Sequence, residues 1–129
     1  MPVRSLNSSV LKWPDAGTID RAVRRWASRL VQNREGVLRI GYFGSYARGD
    51  WGVGSDLDLI IILESSNQPF MRRGGEFDAT ELPVPADVVI YSEEEWQSLR
   101  QQGRFYETVM GETVWVFDER GIRRETSVL

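Results

Sequence analysis

Two aspartates one residue apart, Asp56 and Asp58, open an apolar run that continues Leu59-Ile-Ile-Ile-Leu63. Residues i and i+2 of a strand share a face and lie roughly 7 Å apart, so these carboxylates can aim at one small cation. Apolar strands seldom begin with two acids, because a carboxylate beside buried aliphatic groups is costly unless water, a cation or hydrogen-bond donors compensate it. The pattern implies metal-assisted chemistry on a phosphate. Its plainer alternative is a solvated strand end behind a Ser55-Asp56 turn.

Two further features could complete such a site. Gly44 and Ser45 end one strand-forming run and open a short turn or helical segment, Tyr46 to Arg48. Backbone N–H groups at such a start lack partners and can take an anion, with the Ser45 hydroxyl as an additional ligand. Read alone, the pair is a tight turn whose serine caps. Asp87 lies near the start of another apolar run, Val84 to Tyr91, and shares a face with Val89 and Tyr91. Alone, it too reads as a strand-end carboxylate in water. Together, three acids at the starts of two apolar strands and a glycine–serine turn suit phosphoryl or nucleotidyl transfer. That chemistry needs positioning, charge neutralisation and metal ions that bridge attacking and leaving oxygens. Mg²⁺ prefers a few carboxylates, phosphate oxygens and retained waters, which this set provides.

Composition narrows the choice. The 129 residues include no cysteine and no histidine, which removes thiol nucleophiles, the usual zinc sites, imidazole bases and serine–histidine triads. Catalysis must then use carboxylates and metal. A formal net charge of -3 argues against the broad basic surface of a nonspecific nucleic-acid binder, so direct nucleic-acid binding is not expected. No apolar run is long enough to cross a bilayer and the first ten residues lack the features of an export signal; the expectation is no membrane association and a cytoplasmic location.

The elements that must position these residues follow from periodicity. Ile19, Val23, Trp26, Ala27, Leu30 and Val31 recur at three- and four-residue spacing, predicting an amphipathic helix capped by Thr18, with a solvated face of Arg21, Arg24, Arg25 and Arg29. Val37 to Phe43 is a first strand, and the second begins at Asp56. Within the second, Asp56, Asp58, Ile60 and Ile62 share one face and Leu57, Leu59, Ile61 and Leu63 the other, the pattern of a central strand covered on both sides. Residues 64 to 83 read as a long connection with one short helix around Phe70 to Arg73, where Arg72 and Arg73 could touch a nucleotide or partner. After the Val84 to Tyr91 strand, Ser92 and Glu95 form a capping box for a helix that ends near Gly103. A short helix over Arg104 to Met110 and a strand over Thr113 to Phe117 follow. The expected fold class is α/β (α+β): one domain over 1–129, with an arm at 1–17, a fraying tail at 118–129, and a small mixed sheet. The helices pack mainly on one side and the site lies at the open edge.

The motif Gly44-Ser45-Tyr46-Ala47-Arg48-Gly49, followed by Ser55-Asp56-Leu57-Asp58-Leu59, resembles the signature of the DNA polymerase beta-type nucleotidyltransferase superfamily, and most of all its minimal nucleotidyltransferases. In that family a glycine–serine pair is followed after ten positions, here 46 to 55, by Asp-x-Asp. A third carboxylate lies on a later strand, where Asp87 in Ala86-Asp87-Val88-Val89 matches it. The likeness spans roughly residues 18 to 117. It implies that Gly44 and Ser45, assisted by Arg48, hold the phosphates of a nucleoside triphosphate. It also implies that Asp56 and Asp58 bind two Mg²⁺, and that Asp87 binds one metal and helps deprotonate the acceptor hydroxyl. The implied reaction moves AMP from ATP, or another NMP, onto a hydroxyl.

Members of this kind often act as antitoxins that AMPylate a tyrosine of a small helical HEPN-type toxin. Two other functions compete: transfer to a small antibiotic-like acceptor, and a non-catalytic module that neutralises a partner by contact. Relatives commonly carry a regular helix where residues 64 to 83 lie. This sequence has no helical domain appended to the motif, so the resemblance places the acceptor surface on a partner or on a second copy in a homo-oligomer.

Overall fold

A computed structural model describes residues 13–66 and 77–119. The chain is organised around β2, Leu57–Leu63, in which Leu57, Leu59, Ile60, Ile61, Ile62 and Leu63 are all at most 1% exposed. Burying each such side chain contributes about 2 kcal/mol, ample to hold a strand whose mouth carries charge. β1, Val37–Phe43, pairs antiparallel with β2 on one side. β3, Ala86–Ser92, pairs parallel with it on the other. β4, Val114–Asp118, joins the far side of β1 antiparallel, giving the order β3-β2-β1-β4.

The helices are α1, Ala16–Asn33; α2, Ser45–Arg48; α3, Glu93–Arg100; and α4, Arg104–Glu112. The expected fold class of a small mixed sheet with helices is what the chain forms, and the helical cover is divided between two faces. Leu57, Leu59, Ile61 and Leu63 join Ile40 and Tyr42 beneath Ile19, Val23, Trp26 and Ala27 of α1. Ile60 and Ile62 form a second apolar layer with Trp96 of α3 and Val109 of α4. Strict alternation along β2 sends its two sets of aliphatic side chains into these two layers.

Local chemistry sets the boundaries. The cap of α1 is Asp15, not Thr18: its carboxylate accepts the Thr18 N–H at 2.8 Å, and the helix starts at Ala16. Aspartate caps at least as well as threonine, and Thr18 falls at the donor position of the same motif. The four arginines of α1 named above are exposed, as a solvated face requires. β3 begins at Ala86 rather than Val84, after Pro85, whose carbonyl accepts the Leu57 N–H at 2.9 Å. The Ser92–Glu95 capping box of α3 forms as expected. α4 continues through Gly111 to Glu112.

A parallel β2–β3 pair requires the chain to return from one end of the sheet to the other, and the segment from Glu64 to Pro85 makes that return. Its described second half is packed: Phe77, Leu82 and Val84 are buried, and Trp26 Nε1 donates to the Asp78 carbonyl at 2.9 Å. The arm before Trp13, the expected helix around Phe70 to Arg73 with Arg72 and Arg73, and the tail beyond Glu119 lie outside the described residues.

Gly41 marks the tightest approach inside the sheet. A Cβ there would meet Thr113 Cγ2 at 2.6 Å and Trp115 Cε3 at 2.8 Å, next to a register shift in the β1–β4 ladder. Gly41→Ala should therefore push β4 away and destabilise the domain by about 1–3 kcal/mol. Urea denaturation would show the loss as a lower midpoint, and an unchanged midpoint would contradict the close approach.

Candidate active site

Sheet register assembles the acids. In the parallel ladder Asp58 stands opposite Asp87, and in the antiparallel ladder Asp58 stands opposite Phe43, the residue before Gly44. The starts of β2 and β3 and the end of β1 thus meet at one edge. Asp56 lies just ahead of β2, exposed; Asp87 is exposed and Asp58 half-buried. By strand alternation Asp58 and Asp87 share the face of Ile60 and Ile62, the layer covered by α4.

Two hollows open at this edge. One, of about 390 Å³, is lined by Phe43, Gly44, Ser45, Arg48, Asp56 and Asp58 from the sheet side, and by Phe105, Thr108, Val109 and Glu112 of α4. The other, of about 840 Å³, is lined by residues from Phe77 to Val88, the segment leading into β3 and its first residues, and contains Asp87. Asp58 lines the first and its register partner Asp87 the second. Five of the six residues singled out from sequence (Gly44, Ser45, Arg48, Asp56 and Asp58) share one hollow, and Asp87 borders it through its pairing with Asp58.

Gly44 is tied directly to the acids. Its φ of 80° and ψ of -155° lie where side chains are strongly disfavoured, and a Cβ at this position would collide with Asp58 Oδ2. Only glycine lets the turn close over the carboxylate. The connector that follows is held in place: Trp51 stacks on Tyr46 with ring centroids 5.5 Å apart, and the Tyr46 hydroxyl donates to the Pro14 carbonyl at 2.9 Å. The glycines at 49, 52 and 54 have open space around them. Ser55 Oγ accepts the Gly52 N–H at 2.8 Å, so the chain enters β2 through a tight turn.

Electrostatics mark Asp58 as the strained member. Burial, then the neighbouring Asp87 and Asp56 carboxylates, push its carboxyl above the ordinary carboxylate range; Arg48 acts in the opposite direction and Glu112 adds to the rise. As placed, no three acids among the described residues form a group that could hold a metal ion. The donor set is nonetheless all oxygen, gathered at one strand edge, with a charge imbalance that a divalent cation would relieve. Mg²⁺ needs only one or two protein carboxylates when phosphate and water complete its shell.

Glu112 is a site residue that local sequence spacing does not mark. Its Oε2 accepts the Gly44 N–H at 2.7 Å and lies 3.3 Å from the Arg48 guanidinium, which also reaches Asp50 at 3.2 Å. Phe105, 46% exposed, lies on the same wall. Phe105, Val109 and Glu112 are four and three residues apart, one face of a helix. That spacing puts Glu112 on the wall once α4 is carried past Gly111, but it does not encode the pairing with Gly44 and Arg48.

Asp58's raised carboxyl has a signed consequence. A carboxyl protonated more readily when folded makes the native state bind more protons than the unfolded chain, so stability falls as pH rises from the ordinary carboxylate value through the raised one. Asp58→Asn should accordingly raise the melting temperature by a few degrees at neutral pH. The gain should vanish once the pH falls below the ordinary carboxylate range. Thermal melts of both proteins across pH would check this, and a lower melting temperature for the variant at neutral pH would refute it.

Comparison with known proteins places the family and the fold. The family model described as nucleotidyltransferase domain matches residues 23–116. A protein assigned as a nucleotidyltransferase from Sulfolobus solfataricus superposes with a TM-score of 0.59 at 14% identity, over 81% of this chain and 85% of that one. A toxin–antitoxin complex with AMP-PNP superposes with a TM-score of 0.51 at 17% identity, covering 81% of each chain. A mutant of the toxin–antitoxin pair MntA–HpeT gives a TM-score of 0.51 at 14% identity, over 81% of this chain and 80% of that one. At these identities the likeness shows the fold. No curated protein sequence matches significantly.

Proposed function

Because the chain belongs to the nucleotidyltransferase domain family, we propose that it is a Mg²⁺-dependent protein adenylyltransferase, the antitoxin of a toxin–antitoxin pair. In this reading it moves AMP from ATP to a tyrosine hydroxyl of a HEPN-type partner. The observation that carries the chemistry is that Asp58 pairs with Asp87 across the parallel ladder and shares a hollow with Asp56, beside a Gly44 turn that only glycine can close. The toxin–antitoxin structures among its neighbours, one with AMP-PNP, support the partner and the nucleotide. Among the described residues no helix is long and apolar enough to cross a membrane.

Asp56, Asp58 and Asp87 would hold two Mg²⁺, which when bound supply charge neutralisation at the triphosphate and at the attacking oxygen. Gly44 and Ser45, with Arg48, would seat the β- and γ-phosphates. The acceptor hydroxyl then approaches from the larger hollow on the Asp87 side. Its oxygen bonds to the α-phosphorus, the bond from that phosphorus to the bridging oxygen of the β-phosphate breaks, and pyrophosphate leaves. Asp87 takes the hydroxyl proton. Asp58 lines the smaller hollow and Asp87 the larger, which suits a donor in one and an acceptor in the other.

The test is transfer of α-labelled ATP with Mg²⁺ to a co-purified partner. Asp56→Asn with Asp58→Asn should lower labelling about 100-fold or more, and chelation with EDTA should abolish it. Undiminished labelling by the double variant would sink the proposal. Neutralisation of the partner's toxicity by the same variant would favour a module that works by contact alone.

A further inference from the structure

We propose that Glu112 is a built-in occupant of the phosphate seat, a carboxylate that the nucleotide must displace. The inference rests on the nucleotidyltransferase reading and adds a regulation of that same site. The Gly44 N–H and the Arg48 guanidinium are two of the groups assigned to the triphosphate, and both are engaged by Glu112. The amide donates to Oε2 at 2.7 Å, and Nη1 of Arg48 lies 3.4 and 3.3 Å from Oε1 and Oε2.

A carboxylate is an anion with two acceptor oxygens, so it satisfies an amide and a guanidinium much as a phosphate oxygen pair would. The Glu112 side chain is 17% exposed, and its backbone ends α4, whose Val109 is anchored in the apolar layer below. It is thus presented to the seat from a packed helix rather than from a loose chain end. Its position also has a cost. Glu112 lines the same hollow as Asp56 and Asp58, so it adds a carboxylate to a site that already holds two.

Two consequences follow. Without nucleotide, Gly44 and Arg48 are satisfied and the turn stays formed, with no anion required from solution. With nucleotide, each triphosphate oxygen that takes these donors must release Glu112. Binding is weakened by that exchange.

Isothermal titration of the full chain with inorganic tripolyphosphate and with ATP, each with Mg²⁺, decides the matter. Glu112→Gln keeps an oxygen that can accept the Gly44 N–H but removes the charge. It should bind both probes more tightly by about tenfold, the scale set by weakening one charge-assisted hydrogen bond of the competing side chain. Equal or weaker binding by a variant that still melts cooperatively overturns the role of Glu112 and leaves the nucleotidyltransferase reading standing. Absence of ATP binding by both proteins overturns that reading, and this inference with it. Should Glu112→Gln fail to fold, Glu112→Asp takes its place. One methylene shorter, it cannot span the same distance, and it should also tighten binding; no gain there overturns the proposal.

Discussion

The site depends on one register. β2 pairs parallel with β3 and antiparallel with β1, so two strand starts and one strand end arrive at the same edge of the sheet. Had β3 run antiparallel to β2, Asp87 would sit at the opposite end of the sheet, roughly 20 Å away for a strand of ordinary length. Had the register slipped by one residue, Asp58 and Ile60 would have faced the α1 layer instead of α4. The aliphatic content of β2 forbids that slip, because it fills two different apolar layers with two interdigitated sets of side chains. The packing of the core therefore decides where the carboxylates point.

Close approach then adds a second constraint. Gly44 sits so near Asp58 that a methyl group would strike the carboxylate, which fixes the Gly44–Ser45 turn relative to the acids with no side chain between them. The arrangement works against stability: Asp58 is held half-buried among like charges, and its carboxyl is pushed upward by burial before any neighbour acts. Six buried aliphatic side chains in β2 and two apolar layers offset that strain. A domain without these crowded carboxylates would be more stable, since burial and like charge at Asp58 work against the fold.

Much of this is legible in the residues. Alternation along Leu57 to Leu63 identifies a two-sided central strand, and Asp-x-Asp at its mouth places both acids on one face. The Ser92–Glu95 capping box is a local hydrogen-bonding pattern and forms as expected. Thr18 is not the cap it resembles, because the stronger signal, Asp15, sits inside a stretch whose composition suggests an irregular arm. Glu112 escapes a local reading for a different reason: its partners Gly44 and Arg48 are more than sixty residues away in the chain, and no local spacing encodes such a pairing. Gly111 beside it suggests a helix end, although a glycine late in a helix costs only about 1 kcal/mol, which the packing of Val109 and Tyr106 against Trp96 readily covers. The division of helices between both faces depends on how α3 and α4 cross the sheet, and that is a property of topology rather than of any one segment.

The return from β2 to β3 is where the fold meets the approach proposed for the acceptor. Parallel strands oblige the chain to cross the sheet between them, and here the second half of that crossing, Phe77 to Pro85, is pinned through Trp26 and buried at Phe77, Leu82 and Val84. It forms one wall of the larger hollow that holds Asp87. In the proposed reaction, with the acceptor entering on the Asp87 side, the segment that makes parallel pairing possible also lines that approach. Residues there act on two levels: they hold β3 in register, and they shape the approach to the carboxylate at its start. Substitutions that alter acceptor choice without disturbing the acids are accordingly to be sought among the exposed members of this wall, Asp78, Thr80 and Pro83. Its buried members answer to the core.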